Sequence, residues 1–137
     1  MFIDTSVVMY AAGAEHPQRA SRQLVLRRVA DGDIDAVTST EVVQEILHRF
    51  ARGRRDTGQR MARGVLDLFG ELITVDRESI AGAVTFYATY PQLSARDVLH
   101  VATCVANGIT EIVSVDAGFD AVAEVRRIEP RELGDGA

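Results

Sequence analysis

Ile112-Val113-Ser114-Val115-Asp116-Ala117-Gly118-Phe119-Asp120 runs from a short apolar stretch straight into an acid and then into a turn. Ile112 to Val115 reads as a buried strand, and Ala117-Gly118 as the turn into a short helix from Phe119 to Val125. The chain opens in the same way: Met1-Phe2-Ile3 is a short apolar strand that ends at Asp4, and Thr5-Ser6 begins a helix. Between these segments, strands of three to five apolar residues alternate with helices, without β-hairpin turn signals. That alternation predicts an α/β fold with a parallel sheet covered by helices on both faces. In such sheets ligands gather at the carboxyl ends of strands, near the point where strand order reverses. Asp4 and Asp116 both stand at that end of a strand.

Working outward, the first helix is expected to reach about Ala12, and Pro17 suits the first turn of a second. Leu24, Val25, Arg28 and Val29 fall at helical spacing up to Asp31-Gly32-Asp33. Ala36 to Thr38 reads as a short strand, Glu41 to about Ala51 as a helix ending at Gly53, and Thr57 to Phe69 as another helix. Leu72 to Val75 is the next expected strand. Glu78 to Ala88 is helical and closed by Pro91, and a helix beginning at Ser94 ends at Asn107-Gly108. Arg127-Ile128 predicts an edge strand before Pro130. Residues 1–130 therefore read as one domain, with residues 131–137 an expected disordered tail.

Composition agrees. A chain of 137 residues is one domain by size, and 47% hydrophobic with 26% charged residues is neither disordered nor membrane-like. No apolar stretch approaches the ~18–20 residues a spanning helix needs. Met1 to Ala14 has no basic residue ahead of it and carries Asp4, so it reads as strand and helix rather than a signal peptide. A cytoplasmic domain is the expectation. The single cysteine, Cys104, excludes an internal disulfide and a cysteine-rich zinc site, and among Val101, Ala102 and Val105 it reads as a core residue. All 15 basic residues are arginine. The absence of lysine excludes P-loop NTPase, Schiff-base and response-regulator chemistry. The net charge of −5 opposes indiscriminate nucleic-acid binding, yet Arg49, Arg52, Arg54, Arg55, Arg60 and Arg63 face only Asp56 in one fifteen-residue stretch. An exposed charge run of this kind ordinarily only solvates a helix end, but arginine also suits phosphate, so Arg49, Arg52, Arg54 and Arg55 are candidate contacts to a nucleic-acid backbone.

Acids are rarely buried unless they are paired or bound to metal. Asp4, Glu45, Asp97 and Asp116 each adjoin apolar residues, and one shared site for a hard cation explains all four economically. Each also has a structural alternative. Asp4 stands where a helix N-cap would, although Thr5 or Ser6 could cap instead. Ser94-Ala95-Arg96-Asp97 has capping-box spacing, which also puts Asp97 at the positive end of a helix dipole. Thr38-Ser39-Thr40-Glu41 has the same spacing, so Glu41 reads as structural. Glu45, one turn further along and flanked by Val42, Val43, Ile46 and Leu47, is the better ligand. Asp120 is either an N-cap or a peripheral ligand. His100 lies one turn after Asp97, but a lone histidine among apolar residues more often packs in a core. His16 and His48 carry no constellation, and no Ser/His/Asp arrangement or dinucleotide fingerprint is present.

Phe2-Ile3-Asp4-Thr5-Ser6, Val43-Gln44-Glu45-Ile46-Leu47, Arg96-Asp97-Val98-Leu99-His100-Val101-Ala102 and Ile112 to Asp120 together resemble the PIN domain, and in particular its VapC-type toxins. Each segment is weakly specific alone, and four in this order over Met1 to Pro130 are strong together. The resemblance implies an α/β/α sandwich with a short parallel sheet and a ribonuclease of a toxin–antitoxin pair. It implies Mg²⁺ or Mn²⁺ at Asp4, Asp97 and Asp116, with Glu45 and Asp120 as further candidate ligands. It also implies a supporting hydroxyl at Ser6 or Ser114, a small cognate antitoxin and a homodimer. The chemistry is independently coherent. Clustered carboxylates repel, a divalent cation relieves that repulsion, and a metal-activated water attacks phosphorus in line. The alternative is a non-catalytic PIN-like scaffold binding RNA or a protein, which the loss of Asp4 or Asp97 would favour; both are present. A haloacid dehalogenase-type phosphatase would want a second aspartate where Ser6 stands, and a lysine.

Overall fold

In the computed structural model, residues 1–11 and 19–134 are described. The expected start of the second helix at Pro17 lies outside these residues. Three parallel strands, β1 (Phe2–Ile3), β2 (Glu111–Val113) and β3 (Arg126–Ile128), lie side by side in that order. Phe2 pairs with Ile112, and Ile112 with Arg127. Beyond β1, Val37 forms a single parallel bridge with Phe2, and Ser39 one with Ile73. The segments expected as strands at Ala36–Thr38 and Leu72–Val75 thus extend the sheet by one bridge each. The first is cut short because the chain turns into a helix at Thr40. From edge to edge the order is the Ile73 segment, the Val37 segment, β1, β2 and β3, so chain order reverses between β1 and β2. That places the switch point between Asp4 and Ser114.

Phe2, Ile3, Ile112 and Val113 are fully buried, as strands covered on both faces must be. Each such side chain contributes about 1.5–3 kcal/mol relative to an exposed one. The covering helices are α1 (Thr5–Ala11), α2 (Arg19–Ala30), α3 (Thr40–Arg49), α4 (Arg55–Leu68), α5 (Arg77–Thr89), α6 (Ala95–Ala106) and the short α7 (Pro130–Gly134). α5 packs on α6, while α1 to α4 pack among themselves. Cys104 is buried within α6, and burial pushes its thiol up to about 12. None of the helices among the described residues is long and apolar enough to cross a membrane.

Local signals account for the helix ends. Asp76 caps α5 by accepting from Ser79 N at 3.0 Å. Ser94 caps α6 by accepting from Asp97 N at 3.2 Å. Gly108, at φ 68°, closes α6 with Gly108 N donating to Val105 O and Ile109 N to Cys104 O, a Schellman ending that favours glycine. Gly58 lets α4 approach Phe50 so closely that a Cβ there would stand 2.6 Å from Phe50 Cβ.

Three local expectations are corrected. The capping box at Thr38 to Glu41 does not form: Thr38 Oγ1 donates to Ile3 O at 2.8 Å, and the N-cap is Ser39, without a side-chain cap bond. The helix expected from Phe119 to Val125 is instead a 3₁₀ turn at Ala117–Ala121, because Asp116 Oδ1 accepts from Gly118 N and starts the turn early. Residues 131–134 are not part of a loose tail but complete α7, which packs on α2. The last three residues of the expected tail lie outside the described residues.

Candidate active site at the carboxyl ends of β1 and β2

Asp4 follows β1 directly, and its backbone N–H donates to Val113 O at 3.0 Å, continuing the parallel ladder. Its carboxylate is 5% exposed as a residue and would be costly to bury alone. Two hydroxyls meet one of its oxygens: Ser6 Oγ donates to Oδ2 at 2.8 Å and Ser114 Oγ at 2.6 Å. Ser114 follows β2 as Asp4 follows β1, and its hydroxyl also accepts from Asp116 N at 3.0 Å. Both hydroxyls expected from the sequence therefore converge on Asp4, and Ser114 ties that acid to the segment bearing Asp116.

Glu45 lies in the middle of α3, buried among Val42 and Ile46. Its Oε1 is 3.8 Å from Arg49 Nη2, and its Oε2 is 3.5 Å from His100 Nε2. The same imidazole nitrogen is 3.7 Å from Asp4 Oδ1. Burial alone would raise the Glu45 pKa, but His100, the Thr5 hydroxyl and Arg49 outweigh it and bring the pKa down to about 2. Glu45 Oε2, Thr5 Oγ1 and both ring nitrogens of His100 nevertheless stand without a well-aligned hydrogen-bond partner. Glu41, by contrast, is half-buried on the first turn of α3.

Asp97 stands on the first turn of α6, half-buried, with its backbone held by Ser94. Burial raises its pKa; the Ser94 hydroxyl opposes this, the charges of Asp116 and Asp4 add to the rise, and His100 opposes it. Asp97 therefore shares a field with Asp116 and Asp4, although the three come from segments far apart in the chain. Asp116 is exposed, with its Oδ1 turned toward Gly118 N at 2.8 Å.

The sequence context of His100 predicts a core position, and it is buried, with its ring 5.5 Å from that of Phe2. It is also the group that links Asp4 to Glu45. Burial would lower its pKa, but Glu45, Asp4 and Asp97 together raise it. One signal in the sequence pointed this way: Asp97 and His100 are three apart on one helix and so share a face. Asp120 is not brought into the cluster. Both of its oxygens accept from Arg127, at 2.8 and 2.9 Å. Arg49, Arg52, Arg54 and Arg55 are exposed, beginning one turn beyond Glu45.

Among the described residues, no three His, Cys, Asp or Glu side chains are gathered closely enough to hold a metal ion as they stand. The chemistry of the donors nonetheless fits a hard divalent cation: an Asp97 carboxyl whose pKa is raised by burial and by the charges of Asp116 and Asp4, and a buried oxygen of Glu45 without a hydrogen-bond donor. An apolar groove of about 610 Å³, lined by residues including Val8, Leu26, Met61 and Leu68, contains none of these acids.

A parallel sheet whose switch point carries acids from β1, α3, α6 and the end of β2 is the arrangement of a PIN domain. The sequence pattern of that domain matches residues 1–125, and the chain belongs to the PIN-domain family. Among its relatives is Ribonuclease VapC13 of Mycobacterium tuberculosis, 33% identical over 129 residues that cover 93% of this chain and 98% of that protein. The fold is similar to that of M. tuberculosis VapC20, a Sarcin-Ricin loop cleaving toxin (TM-score 0.72, 19% identity, 90% of this chain and 95% of that one). It is also similar to a chain of a toxin–antitoxin complex from Klebsiella pneumoniae (TM-score 0.68, 14% identity, 94% of this chain and 96% of that one).

Proposed function

We propose that this chain is the toxin of a toxin–antitoxin pair: a divalent-metal-dependent endoribonuclease of the VapC type, acting in the cytoplasm. Relatives named as VapC ribonucleases align along nearly the whole chain, which supports the ribonuclease part of this reading. The observation that carries the metal-dependent reading is Asp4. It is a buried carboxylate at the switch point, held by Ser6 and Ser114, within the field of Asp97.

In this reading Asp4, Asp97 and Asp116 hold Mg²⁺ or Mn²⁺, with Glu45 supporting from the His100 side. Ser6 and Ser114 donate to Asp4 Oδ2 and His100 Nε2 lies 3.7 Å from Oδ1, so neighbours orient both oxygens of this carboxylate. When bound, the ion supplies the charge that offsets carboxylate repulsion and makes a water more acidic. The chain's part is to present ionised carboxylates in a fixed geometry, to exclude water from the Glu45–His100 side by burial, and to bind RNA. In this reading water attacks phosphorus and the P–O3′ bond breaks, so the products carry 5′-phosphate and 3′-hydroxyl ends and the ribose 2′-OH takes no part.

Arg49, Arg52, Arg54 and Arg55 are suited to phosphate on an otherwise acidic domain, since each guanidinium offers two parallel donors. A small antitoxin covering the acids with a basic side chain, and a second copy of the chain, complete the proposed assembly. The test is cleavage of a single-stranded and a looped RNA with Mg²⁺, Mn²⁺ or EDTA, with chemical analysis of the product ends. Cleavage in EDTA, or 2′,3′-cyclic phosphate products, would overturn the reading.

A further inference from the structure

Arg127 lies on β3, outside the acid cluster, yet its guanidinium reaches back across the sheet edge to both ends of the segment that carries Asp116. Nε donates to Asp120 Oδ1 at 2.8 Å and Nη2 to Asp120 Oδ2 at 2.9 Å, the paired geometry that a planar fork makes with a carboxylate. Nη1 donates to Ser114 O at 3.3 Å, and Nη2 also meets Glu129 Oε1 at 3.4 Å. Residues 114 and 120 are thus fastened to the same side chain, and Asp116 lies between them. Isolated surface ion pairs contribute little. This one differs, because the Arg127 side chain is only 11% exposed and its donors are spread over three partners.

The fastening continues inward. The residue whose carbonyl Arg127 holds is also the one whose hydroxyl donates to Asp4 Oδ2 and accepts from Asp116 N. Asp116 itself is exposed, and apart from the Ser114 hydroxyl its contacts here are with its own turn, at Gly118 N and Phe119 N. A carboxylate on a free loop would have to be ordered each time an ion bound, and that entropy would be subtracted from the binding.

We infer that Arg127 and Asp120 form a positioning clasp that holds the 114–120 segment, keeping the Ser114 hydroxyl on Asp4 and the Asp116 carboxylate toward the metal site. This inference rests on the metal-dependent reading above. It assigns Asp120 to the support of the site and not to the ligand set. It also requires the fork of arginine and not merely a positive charge.

Mn²⁺ binding to the full chain, followed by electron paramagnetic resonance, tests it, with folding of each variant checked at the same temperature by circular dichroism. Arg127→Lys keeps the charge and loses the paired geometry. Asp120→Asn changes an exposed carboxylate and is the variant expected to fold even if Arg127→Lys does not. Each should weaken Mn²⁺ binding by roughly 10-fold or more, as removal of a group that orients a ligand does. The double variant should be no worse than the poorer single one, and kcat on RNA should fall with KM little changed. Folded variants that bind Mn²⁺ as tightly as the unsubstituted chain would overturn the clasp, whatever their melting temperatures. So would full retention in Arg127→Lys with loss only in Arg127→Met, which would mean charge and not geometry. Failure of the unsubstituted chain to bind Mn²⁺ would instead overturn the metal reading and the clasp with it.

Discussion

Ser114 Oγ donates to Asp4 Oδ2 at 2.6 Å, joining two residues 110 positions apart across the switch point of the sheet. The bond exists because β1 and β2 are neighbours in parallel register, so the residues that follow them emerge side by side. Ser114→Ala should therefore damage the site more than Ser6→Ala, since Ser114 is fully buried and accepts from Asp116 N at 3.0 Å, whereas Ser6 is half-buried and accepts from Val115 N only at 3.4 Å. The expected loss is about 1–3 kcal/mol in stability for the unsatisfied buried groups, with a fall of ~10–100-fold in Mn²⁺ affinity. Thermal melting and metal titration of the two variants, compared side by side, check the order.

Asp4→Asn, Glu45→Gln, Asp97→Asn and Asp116→Asn should each nearly abolish RNA cleavage, because the acids act as a unit. Glu41→Gln should leave most activity. Since no capping box forms at Thr38 to Glu41, its stability cost should be no more than the ~0.3–1 kcal/mol of a helix-dipole interaction. Cleavage rates and melting curves for the five variants decide between Glu41 and Glu45. An inactive Glu41→Gln beside an active Glu45→Gln would reverse the assignment within α3.

Metal should stabilise the fold by relieving the repulsion that Asp116 and Asp4 impose on Asp97. At 100 times the dissociation constant, mass action contributes about 2.7 kcal/mol. Asp97→Asn already removes one of the repelling charges, so its melting temperature should start nearer that of the loaded protein and rise less with Mn²⁺. An unchanged melting temperature of the unsubstituted chain across millimolar Mn²⁺ would count against the metal site.

The exposed arginines after Glu45 should make RNA binding steeply dependent on salt. Each phosphate neutralised on a single strand contributes a slope of roughly −0.7 in log affinity against log salt. Changing Arg52, Arg54 and Arg55 together to Gln should flatten that slope by up to about 2, with cleavage at saturating RNA retained. A slope equal to that of the unsubstituted chain, with binding of the antitoxin lost instead, would move this surface to the protein partner.

Gly58→Ala tests the packing of α4. Helix propensity alone would favour alanine by up to about 1 kcal/mol. The added Cβ would stand 2.6 Å from Phe50 Cβ, an atom that moves only with its backbone. Overpacking should prevail, with a net loss of about 1–3 kcal/mol in denaturant titration.

What the sequence determined by itself is what a few neighbouring residues decide. Apolar runs ending at Asp4 and near Asp116 mark the carboxyl ends of strands. Ser94 caps α6 and so sets Asp97 on its first turn, and Gly108 closes that helix because it accepts φ 68°. Capping, strand period and turn chemistry act over one to four residues, and they can be read without knowing what packs where. The tertiary structure decided the rest. His100 is both a core ring against Phe2 and the link between Asp4 and Glu45, because the packing of α6 on the sheet chooses which of its faces meets β1. Thr38 reaches Ile3 O and not its own helix, because the sheet offers that carbonyl at the correct distance. Asp120 belongs to Arg127 because β3 pairs with β2 in a register that sets Arg127 beside Ile112, under the turn that Asp116 begins. Each of these pairings joins segments that are remote or in different elements. Their free energy comes from burial and strand register, which no local window of the sequence contains.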